Sequence, residues 1–148
     1  MQFSSRLPIA THILLAIALF GDEQKFTSNV LAGSTGVNPV IIRNTLGMLK
    51  AAGLVSVEPG VGGATLTKEP SEITLLDVFR AVEEDEDLFR FHEHPSPDCP
   101  VGSNIHVVLG SRLHDTSSAM EAQLAETTIQ DLADDTNKRI EAKKEKTG

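Results

Sequence analysis

The chain has 148 residues, of which 40% are hydrophobic, and it carries a formal net charge of −8. That length accommodates one domain, or one small domain with a helical extension. The sequence contains one cysteine and neither tryptophan nor tyrosine. These counts exclude a disulfide framework and a zinc site built from several thiolates, and they leave few rings for stacking on single-stranded nucleic acid.

The charge is unevenly placed along the chain. Residues 1–70 hold five basic and four acidic side chains, whereas residues 71–148 hold eight basic and seventeen acidic ones. The acidic total does not exclude DNA binding, because the local field governs such contacts. No apolar run is long enough to span a membrane, and no cleavage site follows the apolar segment 7–20. We therefore expect a cytoplasmic protein without a membrane partner.

The N-terminal part of the sequence predicts two helices. Apolar residues recur at three- and four-residue steps over 7–20, a pattern typical of a helix, and Gly21 would end it. A shorter helix is predicted at about 28–35. Thr27 or Ser28 would serve as its N-cap, because a hydroxyl there can accept a backbone N–H.

A third helix is predicted at about 39–52. Gly36 permits a tight turn before it, Asn38 can cap it, and Pro39 suits its first position. Gly47 lies inside this helix, where it would allow close packing against the first helix. The residues of this helix expected to face a core are Val40, Leu46, Leu49 and Ala52.

Two short β-runs at 54–57 and 64–67 flank a glycine-rich loop, which predicts a hairpin. The order helix, helix, turn, helix, hairpin is that of a winged helix-turn-helix. The same order also occurs in winged helices that bind protein, so the spacing alone leaves both functions open.

In a helix-turn-helix the second helix enters the DNA major groove and its N-terminal residues contact base edges. Arg43 can pair bidentately with guanine, and Asn38 together with the amides behind it can hold a phosphate. Glycines at the wing tip let the backbone approach a sugar-phosphate strand. The residues expected to contact double-stranded DNA are Thr27, Ser28, Asn38, Pro39, Val40, Arg43, Asn44, Gly62 and Gly63.

The second half of the chain predicts a short helix, a loop and a long helix. Thr74 and Asp77 have the spacing of a capping box for a helix to about residue 84. The acidic run at 83–87 predicts a solvated helix end, and the three prolines in 92–102 predict a loop. Ser103 would then cap one helix extending into a charged tail, 138–148, that is expected to fray.

One face of the long helix is apolar over six turns and is stable only if something covers it. Its own domain could do so, but the length of the helix favours a partner chain. We therefore expect a homodimer. The residues assigned to its interface are Ile105, Leu109, Leu113, Met120 and Leu124.

Five segments carry a pattern known from one family: 46–55, 60–66, 73–78, 81–83 and 99–105. Together with the long helix they resemble the Rrf2 family of bacterial winged-helix regulators over nearly the whole chain. The resemblance implies a homodimeric transcription factor, usually a repressor, that is joined through the long helix and reads a roughly palindromic operator. It divides the chain into a DNA-binding domain, 1–84, an acidic, proline-rich loop, 85–102, and a dimerisation helix, 103–148.

Many relatives in that family hold an iron–sulfur cluster with three cysteines in the loop before the long helix. Cys99 alone cannot supply that set, so we expect a member without the cluster and without a cofactor. Cys99 remains a candidate redox sensor, since it precedes a helix N-terminus. A site formed with His92, His94 and His106 matches no structural zinc spacing, and we assign no metal. The sequence does not identify an effector.

The sequence is compatible to different degrees with three classes of function. A sequence-specific DNA-binding regulator is the leading hypothesis, and a dimeric winged-helix adaptor acting through protein contacts is the alternative. An enzyme is not expected, because the sequence has no recognisable nucleophilic triad or paired-carboxylate cleft. Residues 60–63 also lack the strand–loop–helix context of a nucleotide-binding loop.

Overall fold

The computed structural model describes residues 4–59, 62–83 and 88–148. Its elements are the helices α1 (Arg6–Phe20), α2 (Ser28–Thr35) and α3 (Pro39–Ala51), the strands β1 (Val55–Glu58) and β2 (Gly63–Leu66), a 3-10 turn (Pro70–Glu72), and the helices α4 (Leu75–Val82), α5 (Ile105–Ala125) and α6 (Ile129–Thr147). The predicted wing tip at residues 60 and 61 and positions 84–87 of the predicted acidic run lie outside the described residues. In the described part of the chain, no helix has both the length and the apolarity needed to cross a lipid bilayer.

The turn between α2 and α3 forms as predicted. The hydroxyl of Thr27 accepts from the backbone N–H of Val30 at 3.3 Å and so caps α2. Gly36 ends that helix with φ +74°, a left-handed conformation that suits glycine. The Oδ1 atom of Asn38 accepts from the N–H of Val40 at 2.8 Å, which fixes the start of α3.

One hydrophobic core joins α1, α3, α4 and α6. The buried face of α3 consists of Ile42, Thr45, Leu46 and Leu49. The prediction that Val40 faces this core is wrong, because Val40 precedes Ile42 by two residues and lies on the opposite side of the helix, 52% exposed. Ala52 is exposed as well, since it follows the end of the helix.

The wing is an antiparallel hairpin in which Val55 pairs with Leu66. Its second strand is attached to the segment before α2, because the N–H of Ala64 donates to the carbonyl of Phe26 at 2.9 Å. Gly63 has φ +73°, and a Cβ there would lie 3.0 Å from the backbone nitrogen of Phe26. The wing therefore has a fixed position relative to the start of α2.

The structure corrects the predicted continuous helix over 103–148. Asn104, not Ser103, is the N-cap of α5, which ends at Ala125. A second capping box, formed by Thr128 and Asp131, then opens α6 as a separate helix. This helix packs on the N-terminal part of the chain: Ile129 and Ala133 are buried, and Thr136 lines a groove together with His12 and Leu15 of α1. The tail predicted to fray is helical to Thr147.

Candidate nucleic-acid interface

The solvent-facing side of α3 is defined by its buried side. At about 100° per residue, Val40, Asn44 and Gly47 lie opposite the stripe that packs into the core. All three are exposed. In the helix-turn-helix arrangement, this outward face is the one that a duplex would meet.

Arg43 lies on the flank of α3 that faces the wing. Its side chain is exposed, and within the described residues it forms no ion pair. A guanidinium without an internal carboxylate partner keeps its five N–H donors available for an external acceptor. Arg43 is therefore the side chain on this face best suited to guanine or phosphate.

A groove of about 370 Å³ separates α3 from the wing. Its lining residues come from the segment before α2, from α3 and from the hairpin: Phe26, Thr27, Ser28, Arg43, Leu46, Gly47, Lys50, Val57, Glu58, Pro59, Gly63 and Ala64. Two cations, Arg43 and Lys50, stand on its α3 side. The wing contributes Glu58 and no cation, so positive potential in the groove comes from the helix.

The structure brings Thr27, Ser28 and Arg43 together around this groove. Asn38 stands at the start of α3, where its Oδ1 is already used by the Val40 N–H. The amide nitrogen of its side chain remains free to donate to an acceptor outside the protein.

The two wing glycines that were predicted to contact DNA have packing roles. Gly63 is buried against Phe26. It can therefore influence DNA binding only by setting the shape of the hairpin, and not through a contact of its own. A Cβ at Gly62 would overlap the Glu58 side chain. Both residues are thus required for the shape of the hairpin, whether or not the wing touches a duplex.

Lys50 was missed in the sequence reasoning, although its spacing could have revealed it. It follows Arg43 by seven residues, two helical turns, and lines the same groove. Gly47 between them was predicted to pack on α1, and that prediction is wrong. A Cβ at Gly47 would have no atom within 4 Å, so the position opens onto the groove.

The second candidate surface belongs to α5. None of its 21 residues is buried. Of the residues predicted to form the dimer interface, Leu109 is exposed, while Ile105, Leu113, Met120 and Leu124 are half-buried. Leu113 shares a cavity with Phe89 and Phe91, so part of the predicted stripe is covered by the chain itself. Large apolar side chains that remain exposed in α5 are Val107, Val108 and Leu109, and Val101 is exposed in the loop before it.

The loop before α5 holds Cys99 and the histidines. The thiol of Cys99 is exposed, and hydrogen bonds from the backbone N–H groups of Gly102 and Val101 lower its pKa. The ring nitrogen Nε2 of His106 lies 2.9 Å from the carbonyl oxygen of His92. Among the residues that the structure describes, no group of three or more His, Cys, Asp or Glu side chains is arranged to hold a metal ion.

The helix-turn-helix, the attached wing and the exposed outward face of α3 define a winged-helix protein of the type that binds DNA. The model of the Rrf2 family, described as an iron-dependent transcriptional regulator, matches residues 3–135. The chain belongs to the Rrf2 family. The resemblance inferred from the sequence is thereby confirmed, and the chain is a DNA-binding transcriptional regulator of helix-turn-helix type rather than an enzyme.

Individual relatives agree with this assignment. YwnA of Bacillus subtilis (strain 168), named as an HTH-type transcriptional regulator, is 40% identical over 131 residues, which cover 88% of this chain and 96% of YwnA. A solved structure described as a DNA-binding protein is 34% identical and covers 86% of this chain and 98% of its own, with a TM-score of 0.70. A transcriptional regulator from Lactobacillus plantarum is 25% identical over 90% of each chain, with a TM-score of 0.78.

The iron in the family description does not fit this chain as an iron–sulfur cluster. Such clusters are held by several cysteine thiolates. Cys99 is the one cysteine in the whole sequence, and its thiol is exposed next to prolines and an aspartate. This donor set cannot hold a cluster.

Proposed function

We propose that the protein is a homodimeric repressor that binds a roughly palindromic operator through α3. The observation that carries this proposal is the unpaired guanidinium of Arg43 on an exposed helix face beside the wing groove. A bidentate contact with guanine discriminates against a wrong base by about 1–3 kcal/mol. That contact supplies sequence preference, whereas Lys50 supplies attraction to phosphates.

The lack of burial along α5 supports the homodimer. A helix of 21 residues without a buried side chain is only partly covered by its own subunit, as at Leu113 beside Phe89 and Phe91. The exposed residues Val108 and Leu109 lie next to each other on α5, 54% and 37% exposed. Two copies of α5 related by a two-fold axis would cover each other's apolar side chains, which is the usual geometry of a soluble dimer.

A two-fold dimer sets the geometry of the operator. Each α3 would occupy one major groove, so the two half-sites are separated by one helical turn or a multiple of it. Repression then follows from occupancy, because a dimer across a promoter excludes other proteins from the same grooves. The redox state of Cys99 is our candidate for the signal that regulates this occupancy.

The experiment is a selection of duplexes from a randomised pool, followed by gel shifts. We expect an enriched, roughly palindromic sequence that the protein binds at least a thousandfold more tightly than random duplex. Sedimentation of the free protein should give the mass of two chains. Failure to enrich any sequence would contradict the proposal, as would a monomer at the concentrations used for binding.

The alternative is a dimeric adaptor that acts through protein contacts. The absence of Lys and Arg between Lys50 and Lys68, together with the acidic second half, favours it. The same selection separates the two functions, because an adaptor would enrich no sequence.

A further inference from the structure

The first turn of α3 exposes two β-branched apolar side chains. Val40 is 52% exposed and Ile41 is 44% exposed, whereas Ile42, the next residue, is completely buried. Neither exposed side chain fills the groove beside the wing. Val40 and Ile41 thus form a small apolar patch on the first turn of the helix. This patch is bordered by Asn38 at the start of the helix and by Asn44 one turn further on.

The exposed side chains of α3 lie at different angles around the helix axis. Val40 lies at the middle of the outward face, above Asn44 and Gly47 in the same row. Arg43 lies on the flank toward the wing, and Ile41 lies on the opposite flank. The surface that a duplex would meet therefore has a cationic edge, an apolar centre and a second apolar edge.

The major groove offers few partners for an apolar side chain. Guanine, adenine and cytosine present nitrogen, oxygen and amino groups there, while thymine also presents its C5 methyl group. The sugar-phosphate strands on either side are charged. Where a valine faces the floor of the groove, the thymine methyl is the feature that it can bury against.

We propose that Val40, with Ile41 beside it, recognises the C5 methyl groups of thymine next to the guanine that Arg43 contacts. This inference rests on the proposed function and specifies the base composition of its half-site. The half-site then contains at least one T·A pair adjacent to the G·C pair read by Arg43. The patch would also suit a protein partner, and replacing thymine by deoxyuridine distinguishes thymine from that occupant.

The test replaces thymine by deoxyuridine, which lacks only the methyl group. The probe is the duplex enriched from the randomised pool, with each thymine of both half-sites changed in turn, and affinity is measured by fluorescence anisotropy. For the wild-type protein we expect a loss of about fourfold at one or two positions, the affinity equivalent of one methyl group returned to water.

The variants Val40→Ala and Ile41→Ala identify the residue responsible. Both positions are exposed and helical, and alanine has the higher helix propensity, so the fold is retained. Val40→Ala should bind the thymine duplex about as weakly as the wild-type protein binds the uracil duplex, and it should lose the uracil penalty. The matched control is Val30→Ala on α2, which is 39% exposed but lines a different groove, with α1 and α6.

The possible outcomes distinguish a failure of thymine recognition from a failure of the proposed DNA-binding function. An enriched duplex whose thymines can all be replaced by uracil without loss overturns thymine recognition and leaves DNA binding intact. A uracil penalty that persists in both alanine variants also overturns it and would favour another use of the patch, such as a protein contact. Failure to enrich any duplex removes the proposed function and this inference with it.

Discussion

Thr74 and Thr128 pair backbone to backbone, although Thr128 lies 54 positions after Thr74 in the sequence. Each is the N-cap of a helix and part of a complete capping box, Thr74 for α4 and Thr128 for α6. The N–H of Leu75 donates to the carbonyl of Thr127 at 2.9 Å, and the N–H of Ile129 donates to the carbonyl of Ile73 at 2.8 Å. The starts of α4 and α6 are thus joined, which fixes the C-terminal end of the α5 segment to the start of α4.

Replacing the cap of α6 should loosen this junction. Thr128→Ala removes the hydroxyl that accepts from the Asp131 N–H at 3.1 Å, so we expect a loss of about 1 kcal/mol in the free energy of unfolding. Urea denaturation at a fixed protein concentration measures it. Thr147→Ala, at the exposed far end of the same helix, is the matched control and should change little. Equal effects of the two substitutions would argue against the cap.

Arg43→Ala should weaken binding to the selected duplex by roughly five- to 150-fold, because it removes one bidentate base contact. It should also flatten the preference for guanine at one position of the half-site while leaving thermal unfolding unchanged. Anisotropy titrations on the four base variants of that position measure both effects. Arg139→Ala removes the same charge from an exposed position on α6 and serves as the control. An equal loss in both variants would reduce the role of Arg43 to general electrostatic attraction.

Gly47→Ala should stabilise the protein by about 1 kcal/mol. The position is helical and exposed, and a Cβ there meets no atom, so alanine gains helix propensity without strain. Gly36→Ala provides the contrast, since the space is equally open but φ is +74°, and it should destabilise the protein. Urea denaturation of both variants should give opposite signs. A destabilised Gly47→Ala would mean that the residue packs against something after all.

The thiol of Cys99 should be more reactive than a thiol in an unfolded chain. Backbone N–H groups stabilise the thiolate of Cys99 and so lower the pKa of its thiol. The reactive thiolate therefore forms at a lower pH than it would in an unfolded chain. The rate of iodoacetamide alkylation against pH should therefore have its midpoint below that of the same protein in guanidinium chloride. Coincident midpoints would contradict the lowered pKa.

If Cys99 is also the redox sensor, mild peroxide should oxidise it and change the affinity for the selected duplex. Mass spectrometry establishes the oxidation and anisotropy measures the affinity. Cys99→Ser should be insensitive to peroxide. An oxidised protein that binds DNA unchanged would end the redox hypothesis.

Local signals were sufficient to predict much of the fold. The caps at Thr27, Asn38 and Thr74 are short-range hydrogen bonds between residues two or three apart, so the sequence displays them directly. The start of α6 carries the same signal in Thr128 and Asp131. Periodicity alone does not show where α5 ends and α6 begins, so the pattern predicts one helix over both.

Contacts between distant segments could not be predicted. Gly63 resembles a flexible wing glycine in the sequence, but its conformation is set by Phe26, 37 positions earlier. Whether Val40 faces the core or the solvent depends on which residue of the first turn of α3 is buried. The sequence does not decide this, because Val40 and Ile42 are both apolar. Arg43, whose candidate role depends on exposure alone, was predicted from the sequence, whereas the roles of Gly63 and Val40, which depend on packing, were not.

In the proposed dimer, two copies of α3 are held at a fixed separation and read one face of a duplex. The most direct test is the affinity for the selected duplex after insertion of base pairs between its half-sites. Inserting about five pairs should abolish cooperative binding of two chains, because one half-site rotates to the far side of the duplex, and inserting about ten should restore part of it. An affinity unchanged by both insertions would show that the two copies of α3 do not bind the duplex as a fixed pair.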